Sequence, residues 1–393
     1  MLLYQPPVTP TSIPIVNVRP SFSNSPPDID DVARQIHRAC REMGFFYVSQ
    51  HGIDQQVIDR AFAWSARFFA LPASAKQALN MLQSPAAAGY EAGVQQLDSQ
   101  TAGAEKAPPD LKESYQFGME LPPDHPWARK RVRTYGHNQW PASLPGFREA
   151  LLQYQGAVTH LARHVLRLLA RSLDLPSDWF AGSFAMGAVS IRLLKYPPHP
   201  VTAACNQLGA GAHTDWGALT VLAQDPIGGL EVRNADGDWI EATPVPGTFV
   251  INLGDLMARW TNGIYNATMH RVKNRSRTQD RYSIVAFNSP RPDVVIEPLP
   301  GCVSEACPRQ FPTCTAQEHI SEMFRRSYGY SPGQAVSSVG AVSPSPLGAS
   351  ALSSTVRVTA RPTVLLPPSA AGAPAAPHTR RVNSRGNSLT MSH

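Results

Sequence analysis

His213-Thr214-Asp215 and, far downstream, His270 are the residues of this chain whose types and spacing could do chemistry. Two imidazoles and one carboxylate make a ligand set suited to ferrous iron outside a haem. Imidazole nitrogen is a good donor for iron, the carboxylate adds negative charge, and three ligands on one face leave positions open for oxygen and an organic ligand. Residues i and i+2 of an extended strand point to the same side, so His213 and Asp215 could reach one metal from a single strand. The chain between Asp215 and His270 is long enough for several short strands before it returns. Arg281-Tyr282-Ser283 repeats the i, i+2 logic, presenting a guanidinium and a hydroxyl on one face. That pair suits an organic carboxylate, because a planar guanidinium can grip both oxygens at once. Each feature alone is weak: a surface His-x-Asp arises by chance, and a single histidine or arginine is commonly packed or ion-paired. Their order and spacing together carry the argument.

The elements that must position these residues are legible in part. Residues 13–18 read as a short strand. Asp28 is placed to cap a helix whose apolar positions Ile29, Val32, Ile36, Cys40 and Met43 recur at helical spacing. Gly44 ends it, residues 45–48 read as a strand, and a second amphipathic helix carries Val57, Ile58, Ala61, Phe62, Ser65 and Phe69. Residues 83–110, rich in Ala, Gly, Gln and Pro, read as a long loop, a frequent form for active-site lids. From 146 to 173 a helical stripe (Phe147, Leu151, Tyr154, Val158, Leu161, Val165, Leu169) predicts a long helix burying one face against a sheet. Beyond Gly187 the pattern changes to short β-rich runs at 189–196, 218–223, 230–233, 239–242, 248–253 and 282–289, separated by turn residues. Many short strands with turn signals argue for a sandwich or jelly roll. Residues 317–327 read as a final helix. Trp216, Phe287 and Tyr90 are candidate pocket walls.

Composition excludes several classes. The net charge of +6 is carried almost wholly by residues 331–393, where Arg357, Arg361, Arg380, Arg381 and Arg385 stand without any acidic residue. The body is near neutral and has no basic stripe with interleaved aromatics, so a nucleic-acid partner is not expected. The five cysteines include Cys302, Cys307 and Cys314 in one loop but no Cys-x-x-Cys pair, and they read as free thiols. Residues 1–7 show no basic stretch followed by a sustained apolar run, and no run of about 18 apolar residues occurs, so neither a secretory signal nor a membrane span is expected. A reducing, cytoplasmic setting would also keep iron ferrous. The segment after Tyr330, rich in Ser, Pro, Ala and Gly, cannot bury enough apolar surface to offset its ordering entropy. It reads as a disordered tail to which we assign no chemistry.

The stretch from about 190 to 300 resembles the iron(II)- and 2-oxoglutarate-dependent oxygenases of the isopenicillin N synthase-like group. The matching runs are Arg192-Leu-Leu-Lys-Tyr-Pro-Pro198, His213-Thr-Asp-Trp-Gly-Ala-Leu-Thr-Val-Leu222, Gly228-Gly-Leu-Glu-Val232 and Pro246-Gly-Thr-Phe-Val-Ile-Asn-Leu-Gly-Asp255. Arg259-Trp-Thr-Asn-Gly263, His270-Arg-Val272 and Arg281-Tyr-Ser283 continue the match, and Gly44-Phe-Phe-Tyr-Val48 with His51-Gly-Ile53 resemble the group's N-terminal region. The resemblance spans roughly residues 12–330. It implies an α+β fold with a mainly β core: a double-stranded β-helix (jelly roll) with flanking helices, including a long helix on the sheet. It implies Fe(2+) held by His213, Asp215 and His270, and 2-oxoglutarate as co-substrate with its distal carboxylate on Arg281 and Ser283, assisted by Tyr196. With O2, such a site oxidatively decarboxylates 2-oxoglutarate and hydroxylates, desaturates or cyclises a small molecule, of the kind met in secondary metabolism. In one departure, Leu194-Lys195 precede Tyr196 where plant members usually carry Asn-Tyr, so the asparagine's contribution is absent.

These observations divide the chain into an N-terminal oxygenase region (12–128), a long supporting helix region (129–185), a catalytic core (186–292), a C-terminal loop and helix (293–330) and the tail (331–393). A monomer is expected. Three rivals stand beside the oxygenase: a same-fold iron oxidase that uses no 2-oxoglutarate and grips its substrate's own carboxylate with Arg281 and Ser283, a zinc hydrolase, and a non-catalytic binding protein.

Overall fold

The computed structural model describes residues 9–328 apart from 24, 85, 93–108, 123, 130–134 and 203–206. In chain order its first elements are β1 (Ile15–Asn17), α1 (Pro26–Glu42), β2 (Phe45–Ser49), α2 (Gln55–Phe69), α3 (Ala73–Gln77), β3 (Gly89–Ala92), β4 (Glu113–Phe117), α4 (Pro126–Arg129) and α5 (Phe147–Ser172). A strand-rich half follows. It comprises α6 (Ala181–Phe184), β5 (Ala188–Tyr196), β6 (Ala210–His213), β7 (Leu219–Gln224), β8 (Leu230–Arg233), β9 (Trp239–Glu241) and β10 (Thr248–Leu253). The last elements are α7 (Asp255–Trp260), β11 (His270–Val272), β12 (Arg281–Ser289), β13 (Val295–Ile296), β14 (Cys314–Thr315) and α8 (Ala316–Tyr328).

Eight strands form a major sheet in the order β1-β2-β10-β7-β12-β5-β4-β3, and four form a minor sheet in the order β6-β11-β8-β9. All pairs but β1–β2 are antiparallel. Alternation along the major strands splits the core in two. Ile191, Leu193, Val221, Ile251 and Ile284 face the helices and pack with Leu151, Tyr154, Val158 and Leu161 of α5 and with α1 and α2. The intervening residues Leu194, Val250 and Val285 face the minor sheet and pack with Ala210, Leu230, Val232 and Val272. The result is a jelly roll backed by a helical layer, the architecture expected from the sequence.

Several local readings change. Ser25, not Asp28, occupies the cap of α1, because Pro26 and Pro27 start the helix where their missing N–H groups cost nothing, leaving Asp28 in its first turn. The 83–110 stretch is not all loop: Gly89–Ala92 is the edge strand of the major sheet, paired with β4. Its four residues lack the β-branched signature that would mark a strand. Residues 93–108 of the proposed lid, and the 331–393 tail, lie outside the described residues. β6 ends at His213, so Asp215 reaches its place from the turn beyond rather than from the same strand.

On the helix-facing side of the sheet, one step in register from the inter-sheet face, a cluster of charges pins β4, β5 and β12 together. Lys76 donates to Glu113 and to the Phe69 carbonyl (3.0 Å), Tyr90 Oη donates to Glu113 Oε2 (2.7 Å), and Lys195 reaches both Glu113 (3.4 Å) and Asp280 (3.5 Å). Burial pushes the Glu113 carboxyl up, but Lys76, Tyr90 and Lys195 together hold it below its usual range. A carboxyl depressed in this way stabilises the fold above its unfolded pKa, and that contribution fades as pH falls through the folded value. Glu113→Gln should therefore cost roughly 1.5–3 kcal/mol at pH 7. In denaturant titrations repeated towards pH 3 the deficit should shrink. A deficit that is the same at every pH would contradict this role.

Candidate active site

The three metal-type residues converge on one point between the sheets. His213 ends β6 and His270 begins β11, and antiparallel pairing sets the two directly opposite each other in register. Their rings lie 4.3 Å apart at the centroids, and His270 Nε2 is 3.8 Å from Asp215 Oδ1. One ligand atom from each residue falls within 4.8 Å of the others. Among the described residues this is the one such cluster of histidine, cysteine or carboxylate side chains.

Asp215 is held by its backbone and by its side chain. Its carbonyl accepts from Asp255 N (2.8 Å) at the start of α7, and the chain passes so close at Gly254 that an added Cβ would lie 2.6 Å from that carbonyl. Its Oδ2 accepts from Thr220 Oγ1 (2.5 Å) and Asn252 Nδ2 (2.7 Å), leaving Oδ1 turned to the histidines. Both histidines direct Nδ1 at a backbone carbonyl, His213 at Gly211 (2.7 Å) and His270 at Thr268 (3.1 Å). Those carbonyls can only accept, so each Nδ1 carries the proton and each Nε2 presents a lone pair to the centre. Burial, and then the neighbouring His270, push His213 down to about 3, so its ring is neutral. Burial opposes ionisation of Asp215, but the histidines and its two hydrogen bonds outweigh it and hold the carboxyl below its usual range. Two imidazoles and one anionic carboxylate, each braced from behind, fit a divalent ion with open positions.

Arg281 and Ser283 stand on β12 with their side chains in the same cavity as the triad. Arg281 is fully buried. Its Nε donates to the Gly228 carbonyl (2.5 Å), and its two terminal nitrogens donate to Ser283 Oγ (3.3 Å) and Gln224 Oε1 (3.4 Å). A guanidinium has five N–H donors, so two are left over, and among the described residues no carboxylate lies within ion-pair distance. Asp225, the carboxylate whose charge acts on it, spends its oxygens on the backbone N–H groups of Tyr282 and Ile227. Tyr196, paired in register with Arg281, lays its ring under the guanidinium at 4.8 Å. A buried cation lacking a counter-ion in the protein is costly unless an anionic ligand completes it.

Leu194 faces the cavity, paired in register with Ser283, while Lys195 turns to the opposite side to meet Glu113 and Asp280. The sequence departure thus puts an apolar side chain beside the arginine pair. Of the proposed aromatic walls, Trp216 and Phe287 line the cavity; Tyr90 does not, because its hydroxyl is committed to Glu113. Sequence reasoning missed Thr220 and Asn252, which orient Asp215, and Lys112, Gln116, Arg192 and Phe324, which also line the cavity. Asn252 lay within a run that carried the family resemblance, but nothing in its type marked an orienting role.

Comparison with known proteins agrees with this geometry. Residues 13–143 match the model of the N-terminal region named for the non-haem dioxygenase in morphine synthesis, and residues 188–290 match the 2OG-Fe(II) oxygenase superfamily. The 2-oxoglutarate-Fe(II) type oxidoreductase hxnY of Emericella nidulans is 36% identical over 329 residues, covering 82% of this chain and 92% of that protein. A 2-oxoglutarate-dependent dioxygenase of Didymella fabae is 40% identical, covering 70% of this chain and 84% of its own length. The fold is also similar to that of a full-length Neurospora crassa protein crystallised in complex with alpha-KG and thymine. That structure gives a TM-score of 0.70 at 30% identity, over 81% of this chain and 97% of the other. Two catalytic-family regions in order, close relatives over nearly their whole length and a shared jelly roll lead to one conclusion: this chain belongs to the 2-oxoglutarate- and iron(II)-dependent oxygenases.

Proposed function

We propose that His213, Asp215 and His270 hold the ferrous ion, and that Arg281 and Ser283, with Tyr196 beneath the guanidinium, hold the distal carboxylate of 2-oxoglutarate. The observation that carries this reading is the pairing of two incomplete sites in one cavity: three braced donors aimed at a common point, and a buried guanidinium lacking a counter-ion among the described residues. Iron(II), when bound, supplies the activation of oxygen that couples decarboxylation of 2-oxoglutarate to succinate with oxidation of the organic substrate. The protein's own residues bind, orient and exclude. Thr220 and Asn252 fix which carboxylate oxygen of Asp215 faces the centre, the Gly211 and Thr268 carbonyls fix the imidazole tautomers, and Phe45, Leu194, Leu222 and Val285 keep the cavity apolar between its polar ends.

The substrate is a small organic molecule, in keeping with the thymine held in complex by the Neurospora crassa neighbour, and its oxidation is a hydroxylation, desaturation or ring closure. We read the chain as a cytoplasmic monomer of secondary metabolism, divided as the sequence suggests. Among the described residues no helix is long and apolar enough to cross a membrane.

His213→Ala, Asp215→Ala and His270→Ala should each lose tight iron binding and turnover while keeping the wild-type circular dichroism and a cooperative melt. Retained iron stoichiometry in two of the three would remove these residues from the metal site.

Arg281→Ala leaves the carboxylate buried and unpaired, a loss of about 3–5 kcal/mol, so affinity for 2-oxoglutarate should fall on the order of a hundredfold or more. Arg281→Lys should recover only part, because an ammonium cannot reproduce the fork. Ser283→Ala should cost about 1.5–3 kcal/mol. Iron binding should survive all three. An unchanged 2-oxoglutarate affinity together with a raised KM for the organic substrate would instead assign the pair to the substrate's own carboxylate, as in an oxidase that uses no 2-oxoglutarate.

A further inference from the structure

One cation in the cavity is left without a role by the triad and the Arg281 pair. Lys112 stands one residue before β4. The pairing of Glu113 with Lys195, carried one step further, sets it opposite Tyr196, and Tyr196 is itself opposite Arg281. The three form a row across β4, β5 and β12 on the cavity face, with Tyr196 in the middle. Neighbouring strands lie about 4.8 Å apart, so Lys112 and Arg281 rise from backbones about 10 Å apart and enter the same space from either side of the ring.

The Lys112 side chain is 8% exposed, and its Nζ donates to Asp110 Oδ2 at 2.8 Å. Asp110 Oδ1 accepts from Gly211 N (2.9 Å), which anchors the ammonium beside β6, two residues before His213. An ammonium has three N–H donors, and among the described residues Asp110 takes one, leaving two for the cavity. Burial pushes the ammonium down, but Asp110 outweighs it, and Lys112 stays charged. Lys112 lies within electrostatic reach of Tyr196 on one side and of His213 on the other, between the arginine end and the metal-type centre. Lysine can donate but never accept, and the wall residues Leu194, Ala210, Leu222 and Val272 carry no acceptor in their side chains, so a ligand must bring one.

A keto diacid stretched from Arg281 to the triad has two carboxylates. The far one meets the spare N–H groups of Arg281 and the Ser283 hydroxyl. The near one, beside the keto group, passes the anchored ammonium. We propose that Lys112 is a co-substrate residue whose ammonium receives the carboxylate next to the keto group of 2-oxoglutarate, while Arg281 receives the other. Asp110 positions the ammonium and offsets the cost of burying it. This inference rests on the triad and Arg281 having the roles proposed above.

The test is anaerobic titration of the iron(II)-loaded enzyme with 2-oxoglutarate. It is read by calorimetry and by the visible charge-transfer band that a keto acid gives on chelating ferrous iron. The main variant is D110N/K112M, because Lys112→Met alone would strand the Asp110 carboxylate, whereas an asparagine still accepts from Gly211 N. It should bind iron as the wild type does, bind 2-oxoglutarate at least about tenfold more weakly, and show a displaced band, because the chelating end has lost a charged donor. Lys112→Gln, which keeps a donor for Asp110 but no charge, is measured beside it and should change in the same direction. Arg281→Ala should lose affinity with the band in its wild-type place. Wild-type affinity for 2-oxoglutarate in both Lys112 variants, or lost affinity with an unmoved band, would overturn the proposal. Loss of iron binding in both would also overturn it, assigning the Asp110–Lys112 pair to holding β6 in place. An unchanged affinity in Arg281→Ala would sink the earlier distal-carboxylate assignment alone, and a wild-type enzyme that takes up no 2-oxoglutarate would remove both.

Discussion

The antiparallel pairing of β6 with β11 is the constraint on which the rest of this molecule depends. It sets His213 and His270 across from each other on neighbouring strands, and so fixes two of three metal-type donors by backbone hydrogen bonding alone. The third donor must then be brought to the same point from outside the ladder. That is done by the close approach of Gly254 and the start of α7 to the Asp215 turn, where a side chain at position 254 would collide with backbone. The major sheet supplies what the minor sheet cannot: Thr220 and Asn252 reach across from β7 and β10 to choose the orientation of the Asp215 carboxylate. The centre is therefore a product of both sheets.

The two faces of the major sheet divide the work. One is apolar and welded to α5, α1 and α2, with the Glu113 charge cluster at the strand ends. The other carries the polar residues of the cavity at alternate positions of β4, β5 and β12. A single-residue shift of β5 against β12 would exchange Tyr196 and Leu194 for Lys195 and Leu193 and destroy the cavity. The charge cluster and the helix-facing core resist that slip. A buried guanidinium with spare donors in an otherwise apolar cavity suits a ligand that carries its anion at the tip.

Much of this was legible before any coordinates. The Arg-x-Ser spacing works because side chains alternate along a strand, whereas Asp215 reaches the centre from the turn past β6, and the 146–173 stripe works because a helix repeats every 3.6 residues. The short strands were harder. β3, β6 and β11 have four, four and three residues, too few for alternation to show, and they exist through pairing with distant partners. Nothing in the types of Asp110 and Lys112 marked them, and only the fold, which ties Asp110 to Gly211, buries the pair and puts Lys112 on the cavity wall. Tyr90 failed as a pocket wall for the converse reason: its alternation places it on the helix-facing side, where Glu113 claims its hydroxyl.

The central claim is that this cavity couples 2-oxoglutarate and oxygen through one ferrous ion held by the protein. The most direct measurement is a single turnover of the metal-free enzyme reconstituted anaerobically with iron(II) and 2-oxoglutarate labelled at its first carbon. Oxygen is then admitted, and labelled carbon dioxide and succinate are counted against enzyme chains. The account predicts one ferrous ion bound per chain and equal yields of carbon dioxide and succinate that vanish when iron is withheld or replaced by zinc. Oxygen-dependent turnover without succinate, or succinate formation with zinc in place of iron, would contradict it.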